Sequence, residues 1–329
     1  MSRPVIFVAL EDIPERYNSQ WRRWFERDLA NLGRTVFSVG DRDVHTIEVG
    51  EFLDCYSTNV YKAKQLADIV TIIRDHPRDE FSIWFCDLWF PGIEALAYIR
   101  DIAKRHLHIA GWFHAGCWDR EDLLFRAGCN SWGCHQERAW MNAVDHVYVG
   151  SRSARDMLLN ANSYPFRAQI TIRDNPMPDV EDYAAFQSSH PYREDIVVFP
   201  HRFAPEKNPR HFEMLRNLYV ERHGDGVEFV RTKDVCTTKD DYYRLLSRAK
   251  VAFSAASQET FGIAMIEAVG CGCVPVAPDR LSYRDTLAEF DRYVEMSEAV
   301  EFVHDGIMRW RRPVYRFGSS VHDIIGAMP

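Results

Sequence analysis

The chain has 329 residues, a formal net charge of −8, 46% hydrophobic residues and 27% charged residues. That length suits two domains of ordinary size rather than one, and the acidic balance excludes a general nucleic-acid coat while leaving room for a local basic patch. No apolar run approaches the roughly 18 residues that would suggest a membrane span, and the eight scattered cysteines are expected to be reduced thiols in a cytoplasmic protein.

In chain order, residues 4–10 form a continuous apolar run that predicts a buried first strand rather than a signal peptide, being too short and without a small-residue cleavage site. Residues 18–32 are amphipathic, with Trp21, Trp24, Phe25 and Leu29 on one face and Gly33 placed to end a helix. Strands are predicted at 35–39, 81–86, 108–113 and 144–149, with a helix at 92–105 and Ser151 positioned to cap another. Residues 174–179 carry two prolines and no periodicity, the texture of a linker. A second alternation follows, with strands at 196–199, 227–230, 251–254 and 274–277 and helices at 209–221, 239–247 and 261–269. From 297 the pattern is helical again and carries Trp310, Arg311 and Arg312.

Such alternation predicts an α/β fold with parallel sheets. It divides into a domain over 1–176, a second over 177–300, and a tail over 301–329 expected to pack back on the first. Ligands of doubly wound sheets bind beyond the carboxyl ends of the strands. Two such domains facing across a cleft would suit a two-substrate reaction.

Two segments of the second half carry chemistry. Arg202 and Lys207 lie on a loop between a strand and a helix; there a forked guanidinium and a point charge suit a diphosphate. Further on, Ser257-Gln-Glu-Thr-Phe-Gly-Ile-Ala-Met-Ile-Glu267 again joins strand to helix. Gly262 at the helix start would leave the amides of Phe261, Gly262 and Ile263 open to an anion. Glu259 precedes that helix, where it could also be a simple capping acid. Glu267 lies within the helix, where burial is costly unless the carboxylate binds something. Two cations and a helix tip account for phosphate binding without a metal. In the first half, His114 and Asp87 follow predicted strands, and Asp119 lies in an acidic turn that could equally start a helix. His114, Cys117, Cys129, Cys134 and His135 have the residue types of a zinc site. Their spacing is irregular, which favours buried thiols beside a loop.

Taken together, Arg202 and Lys207, then Glu259, Phe261, Gly262 and Glu267, then the run Glu-Ala-Val-Gly-Cys-Gly-Cys-Val-Pro-Val, resemble the retaining GT-B glycosyltransferases of the family 4 type. The resemblance covers roughly residues 196–285. It implies two Rossmann-like domains and a nucleotide-sugar donor, UDP- or GDP-linked, with no other cofactor. It implies that Arg202 and Lys207 contact the diphosphate, with the amides of Phe261, Gly262 and Ile263 beside them. Glu267 would then hold the ribose, Glu259 the transferred sugar, and His114 the sugar near the reacting carbon. His114 and Glu259 are the expected catalytic pair. Asp87 and Asp119 are acceptor-side candidates from the residues alone. Residues 9–15 contain no glycine where many members carry a Gly-rich loop, so the family's acceptor loop does not carry over.

Residues 261–284, with His201-Arg202, are further similar to queuosine-tRNA mannosyltransferases and to phage DNA-modifying glycosyltransferases. That points to DNA or RNA as partner and a modified base, of the hydroxymethylpyrimidine type in phage DNA, as acceptor; a phage-encoded enzyme would work in the host cytoplasm. The mixed cation and aromatic cluster Trp310, Arg311, Arg312, Tyr315 and Arg316 is of a kind that binds bases and phosphates. The alternatives are a glycan, lipid-linked or small-molecule acceptor, which the net charge favours, and a non-catalytic nucleotide-sugar binder.

Overall fold

The structure is a computed structural model that describes residues 3–13, 17–40, 54–162, 165–177, 183, 185–186 and 193–315. The chain forms two compact units that divide between Pro176 and Met177.

In the first unit six parallel strands are ordered β2-β1-β3-β4-β5-β6. They are β1 (Val5–Val8), β2 (Val36–Val39), β3 (Phe81–Phe85), β4 (Leu107–Trp112), β5 (His146–Val149) and β6 (Gln169–Ile172). β1 and β3 are buried along their whole length, which is why β1 reads as an unbroken apolar run and β3 as one interrupted only by Ser82: helices cover both faces of a parallel sheet. Gly33 ends the helix Tyr17–Asn31 with φ +66°, and Ser151 caps the helix Arg152–Asn162 by accepting from the Ala154 amide.

Three elements here were not anticipated, the helix Asn130–Ala143 among them. The helix Cys55–Asp75 buries Tyr61, Lys62, Gln65, Ile69 and Ile73, so polar residues occupy part of its inward stripe and blur the amphipathic period. Gln65 earns its place by donating from Nε2 to the Ala9 and Val39 carbonyls at 2.7 and 3.0 Å. β6 is an edge strand with no buried residue, so it lacks an apolar signature.

The second unit holds five strands ordered β11-β10-β9-β7-β8, namely β7 (Glu194–Phe199), β8 (Glu228–Arg231), β9 (Ala249–Phe253), β10 (Val274–Pro278) and β11 (Arg292–Tyr293). All described pairings are parallel. The helix Met296–Met308 belongs to this unit, packing on the helix Pro209–His223 and on β9, β10 and β11. The expected boundary at 300–301 therefore falls inside this helix. Ala299, Val300, Val303 and Ile307 are buried in one core with Phe199, Phe212 and Phe253, and a Cβ at Gly306 would lie 2.8 Å from Val251 Cγ2. Residues 316–329, Arg316 among them, lie outside the described residues.

Candidate functional site

The site is built where β7 and β9 end. After β7 the chain makes a single 3-10 turn, Pro205–Lys207, and Asn208 adopts a left-handed conformation that starts the next helix at Pro209. Asn208 Nδ2 donates to the Ala255 carbonyl at 2.9 Å, and the Ser257 amide donates to the Glu206 carbonyl at 2.8 Å. The two loops are thus stitched together by one side-chain and one backbone hydrogen bond, which fixes the distance between the motifs they carry.

Lys207 and Glu259 meet directly. Lys207 Nζ lies 3.0 Å from Glu259 Oε2 and 2.6 Å from the Gln258 carbonyl, with both charged side chains largely buried. Arg202, one turn earlier and partly exposed, pairs with buried Glu206 at 2.5 Å. Sequence reading did not single out Glu206, whose carboxylate pairs with the guanidinium. Gly262 is the N-cap of the helix Ile263–Cys271 at φ +93°, a left-handed conformation that a side chain would strain. A Cβ there would also lie 2.9 Å from the Tyr283 ring and 3.6 Å from Glu259 Cγ. Lys207 and the helix tip therefore both adjoin Glu259. Among the described residues no hydrogen bond uses the amides of Gly262 or Ile263, as expected at a helix N-terminus. The Phe261 side chain is buried in the core, so only its backbone is available to a ligand. Glu259 accepts no amide at this helix start, which removes the capping alternative.

Glu267 is 2% exposed. Its Oε1 receives Lys239 Nζ at 2.6 Å and the Tyr243 hydroxyl at 2.8 Å. Lys239 also lies 4.5 Å from the centre of the Tyr242 ring. Burial and the Glu267 charge hold the Tyr242 phenol well above its ordinary value. Lys239 stands at the first turn of the helix Lys239–Arg248, whose Thr238 and Asp241 make a reciprocal capping box; the capping pattern was legible in the sequence, whereas the ion pair across 28 positions was not.

No family model matches the chain. One stretch of 124 residues is 26% identical to the tRNA-queuosine alpha-mannosyltransferase of Drosophila melanogaster, over 30% of this chain and 32% of that protein. The match thus spans about a third of that relative's length. The structure is similar over 99% of its length to sucrose-phosphate synthase from Thermosynechococcus elongatus, with TM-score 0.63, 15% identity and 95% of that chain covered. It is similar over 94% of its length to alpha,alpha-trehalose 6-phosphate synthase from Burkholderia multivorans, with TM-score 0.64, 10% identity and 89% of that chain covered. The fold is GT-B.

In the first unit of this GT-B fold, His114 follows β4 and its Nε2 lies 2.8 Å from the Cys86 carbonyl. A carbonyl only accepts, so Nε2 carries the proton and Nδ1 is the acceptor nitrogen. Trp21, Trp112 and Tyr17 surround the ring at 5.3, 6.5 and 6.4 Å between centroids. Burial lowers the imidazole below its ordinary value, against the opposing pull of Asp87 and the Cys86 carbonyl. Asp87 Oδ1 accepts from the Trp89 amide at 3.0 Å. Asp119 is buried, and its Oδ1 accepts from the Glu121 amide at 3.0 Å, bracing the turn, while Asp122 caps the short helix Leu123–Arg126.

No group of three or more His, Cys, Asp or Glu that could hold a metal occurs among the described residues. Burial, then Glu137 and the neighbouring thiols, push Cys117 up to about 12, and burial raises Cys134 as well. Glu137 itself went unnoticed in the sequence. It is fully buried, and its Oε1 accepts from the Cys117 amide at 2.7 Å and Trp89 Nε1 at 3.1 Å, joining the loops that follow β3 and β4. Burial raises its carboxyl to about 7.

Proposed function

We propose that this protein is a glycosyltransferase that takes a sugar from a nucleoside diphosphate donor held by its second unit and transfers it, with retention, to an acceptor hydroxyl. The observation that carries the reading is the contact of Lys207 with Glu259 beside the open helix tip at Gly262. In this reading Arg202, Lys207 and the amides of Phe261, Gly262 and Ile263 stabilise the charge that develops on the departing diphosphate. Glu259 receives the hydroxyls of the transferred sugar and Glu267 those of the ribose. His114 is assigned to the sugar near the reacting carbon. The departing phosphate takes the acceptor's proton on the same face.

For the acceptor we favour a hydroxyl on a modified base of nucleic acid, for which Asp87 is the first unit's candidate contact. Support comes from the tRNA-queuosine mannosyltransferase match and from the similarity of residues 261–284 to enzymes that glycosylate bases. Such a base would leave a duplex stack to react, and the reaction would take place in a cytoplasm. No described helix is long and apolar enough to cross a membrane. The second reading, a glycan, lipid-linked or small-molecule acceptor, is favoured by the net charge of −8.

Thermal-shift screening of UDP- and GDP-sugars identifies the donor. Incubation of that donor with hydroxymethylpyrimidine DNA and with tRNA, read by mass spectrometry, separates the acceptors. A hexose-sized mass gain on a base supports the first reading. Turnover of the donor only with sugar or lipid acceptors supports the second, and absence of any nucleotide-sugar stabilisation rejects both.

A further inference from the structure

Behind the Lys207–Glu259 pair runs a chain of buried polar side chains that the phosphate and sugar motifs do not explain. His201, just after β7, is 3% exposed, and Ser254 and Tyr283 are 0% exposed. His201 Nε2 lies 2.8 Å from Ser254 Oγ, Ser254 Oγ lies 2.8 Å from the Tyr283 hydroxyl, and that hydroxyl lies 3.5 Å from Glu259 Oε2.

The directions of these bonds follow from proton counting. A carboxylate only accepts, so the Tyr283 phenol donates to Glu259 and accepts from Ser254. Ser254 has a single proton, so its oxygen accepts from His201 Nε2–H, and it also accepts from the Ala256 amide at 3.3 Å. The serine oxygen is then fully used, with two bonds accepted and one donated. This order requires a proton on His201 Nε2, which the neutral Nε2–H tautomer carries. Burial, ahead of the charges of Lys207 and Arg202, holds the imidazole well below its ordinary value, which supplies that form.

Lys207 and Tyr283 thus converge on the same oxygen, Oε2. Among the described residues no hydrogen bond reaches Glu259 Oε1. The Tyr283 ring also fills the space that a Cβ at Gly262 would need, so one side chain shapes both the carboxylate and the helix tip.

We propose that Tyr283, oriented by Ser254 and His201, is a positioning residue that fixes the Glu259 carboxylate through Oε2 and leaves Oε1 to receive the hydroxyls of the transferred sugar. This rests on the reading of Glu259 as the sugar-binding carboxylate, and the experiment separates the two. Calorimetric titration of the full chain with UDP-glucose against UDP, and with GDP-mannose against GDP, gives the affinity that the sugar adds to the nucleotide. A purely structural defect would weaken sugar-linked and free nucleotide alike.

Glu259→Ala is expected to abolish the sugar's increment. Tyr283→Phe keeps the packed ring, leaves free-nucleotide affinity unchanged and reduces the increment roughly tenfold, as for a lost hydrogen bond to a charged group. Ser254→Ala moves in the same direction, and Glu259→Ala combined with Tyr283→Phe loses no more than Glu259→Ala alone. An intact increment in Tyr283→Phe, or additive losses in the double variant, overturns the positioning role while Glu259 keeps its own. An intact increment in Glu259→Ala overturns the underlying reading and the proposal with it. Should Tyr283→Phe not fold, Ser254→Ala decides in the same two ways.

Discussion

The polar groups at the strand ends of the two units bond to different things. In the first unit His114, Asp87, Asp119 and Glu137 bond mostly to backbone groups, namely the Cys86 carbonyl and the amides of Trp89, Glu121 and Cys117, with Glu137 also accepting from Trp89 Nε1. They hold loops in shape. In the second unit Arg202, Lys207 and Glu267 pair with side chains of opposite charge, Glu206, Glu259 and Lys239, with Lys207 also donating to the Gln258 carbonyl. A bond to the local backbone is part of the scaffold and has nothing to exchange. A pair of opposite charges is either structural or, in the proposed function, a placeholder that a phosphate or a sugar hydroxyl partly replaces. The contrast supports the proposal that the second unit holds the donor.

The strongest test of that contrast asks which of the pairs is structural. Lys239→Met leaves Glu267 buried without its cation, and is expected to cost about 3–5 kcal/mol in denaturant unfolding. Adding Glu267→Gln should recover most of it. If Lys239→Met is as stable as the parent, the Glu267 pair belongs with the exchangeable ones.

Lys207→Ala is expected to lower the release of nucleoside diphosphate from the donor by about 100- to 1,000-fold, the scale for one lost charge-stabilising donor. Activity within a few-fold of the parent would remove Lys207 from the diphosphate site.

Gly262→Ala forces a side chain into the left-handed region, which costs about 1–2 kcal/mol, and presses on Tyr283. Both melting temperature and nucleotide affinity should fall. A normal affinity in a destabilised variant would separate the helix tip from the anion site.

The prediction furthest from the donor site concerns the first unit's scaffold and depends on pH. The folded Glu137 carboxyl, at about 7, lies above its unfolded value of 4.5, so the folded state binds the extra proton. Its stabilising share is complete below 4.5 and is lost as pH rises through 7, at no more than about 1.4 kcal/mol per pH unit. Glu137→Gln should therefore gain stability relative to the parent across that window, seen as diverging unfolding midpoints. Parallel midpoints would show that Glu137 is ionised throughout.

Much of this molecule is local and was open to sequence reading. The unbroken apolar run of β1 and the mostly apolar runs of β3 and β9 announced these strands because parallel strands are buried on both faces. The spacing of Arg202 and Lys207, and of Glu259, Gly262 and Glu267, placed one set of residues at two neighbouring strand ends because each lies within a single strand-loop-helix unit. What only the tertiary structure decided are the partners: Lys239 for Glu267, the chain from His201 through Ser254 to Tyr283, and the Glu137 clip between two loops. These link residues 20 to 53 positions apart, and no window of sequence carries the strand order and register that bring them together. The fully buried helix stripe containing Lys62 and Gln65 escaped for a related reason. Its polar groups are satisfied by carbonyls of distant segments, such as Trp89, Ala9 and Val39, and a buried polar residue looks like a surface one until its partner is known.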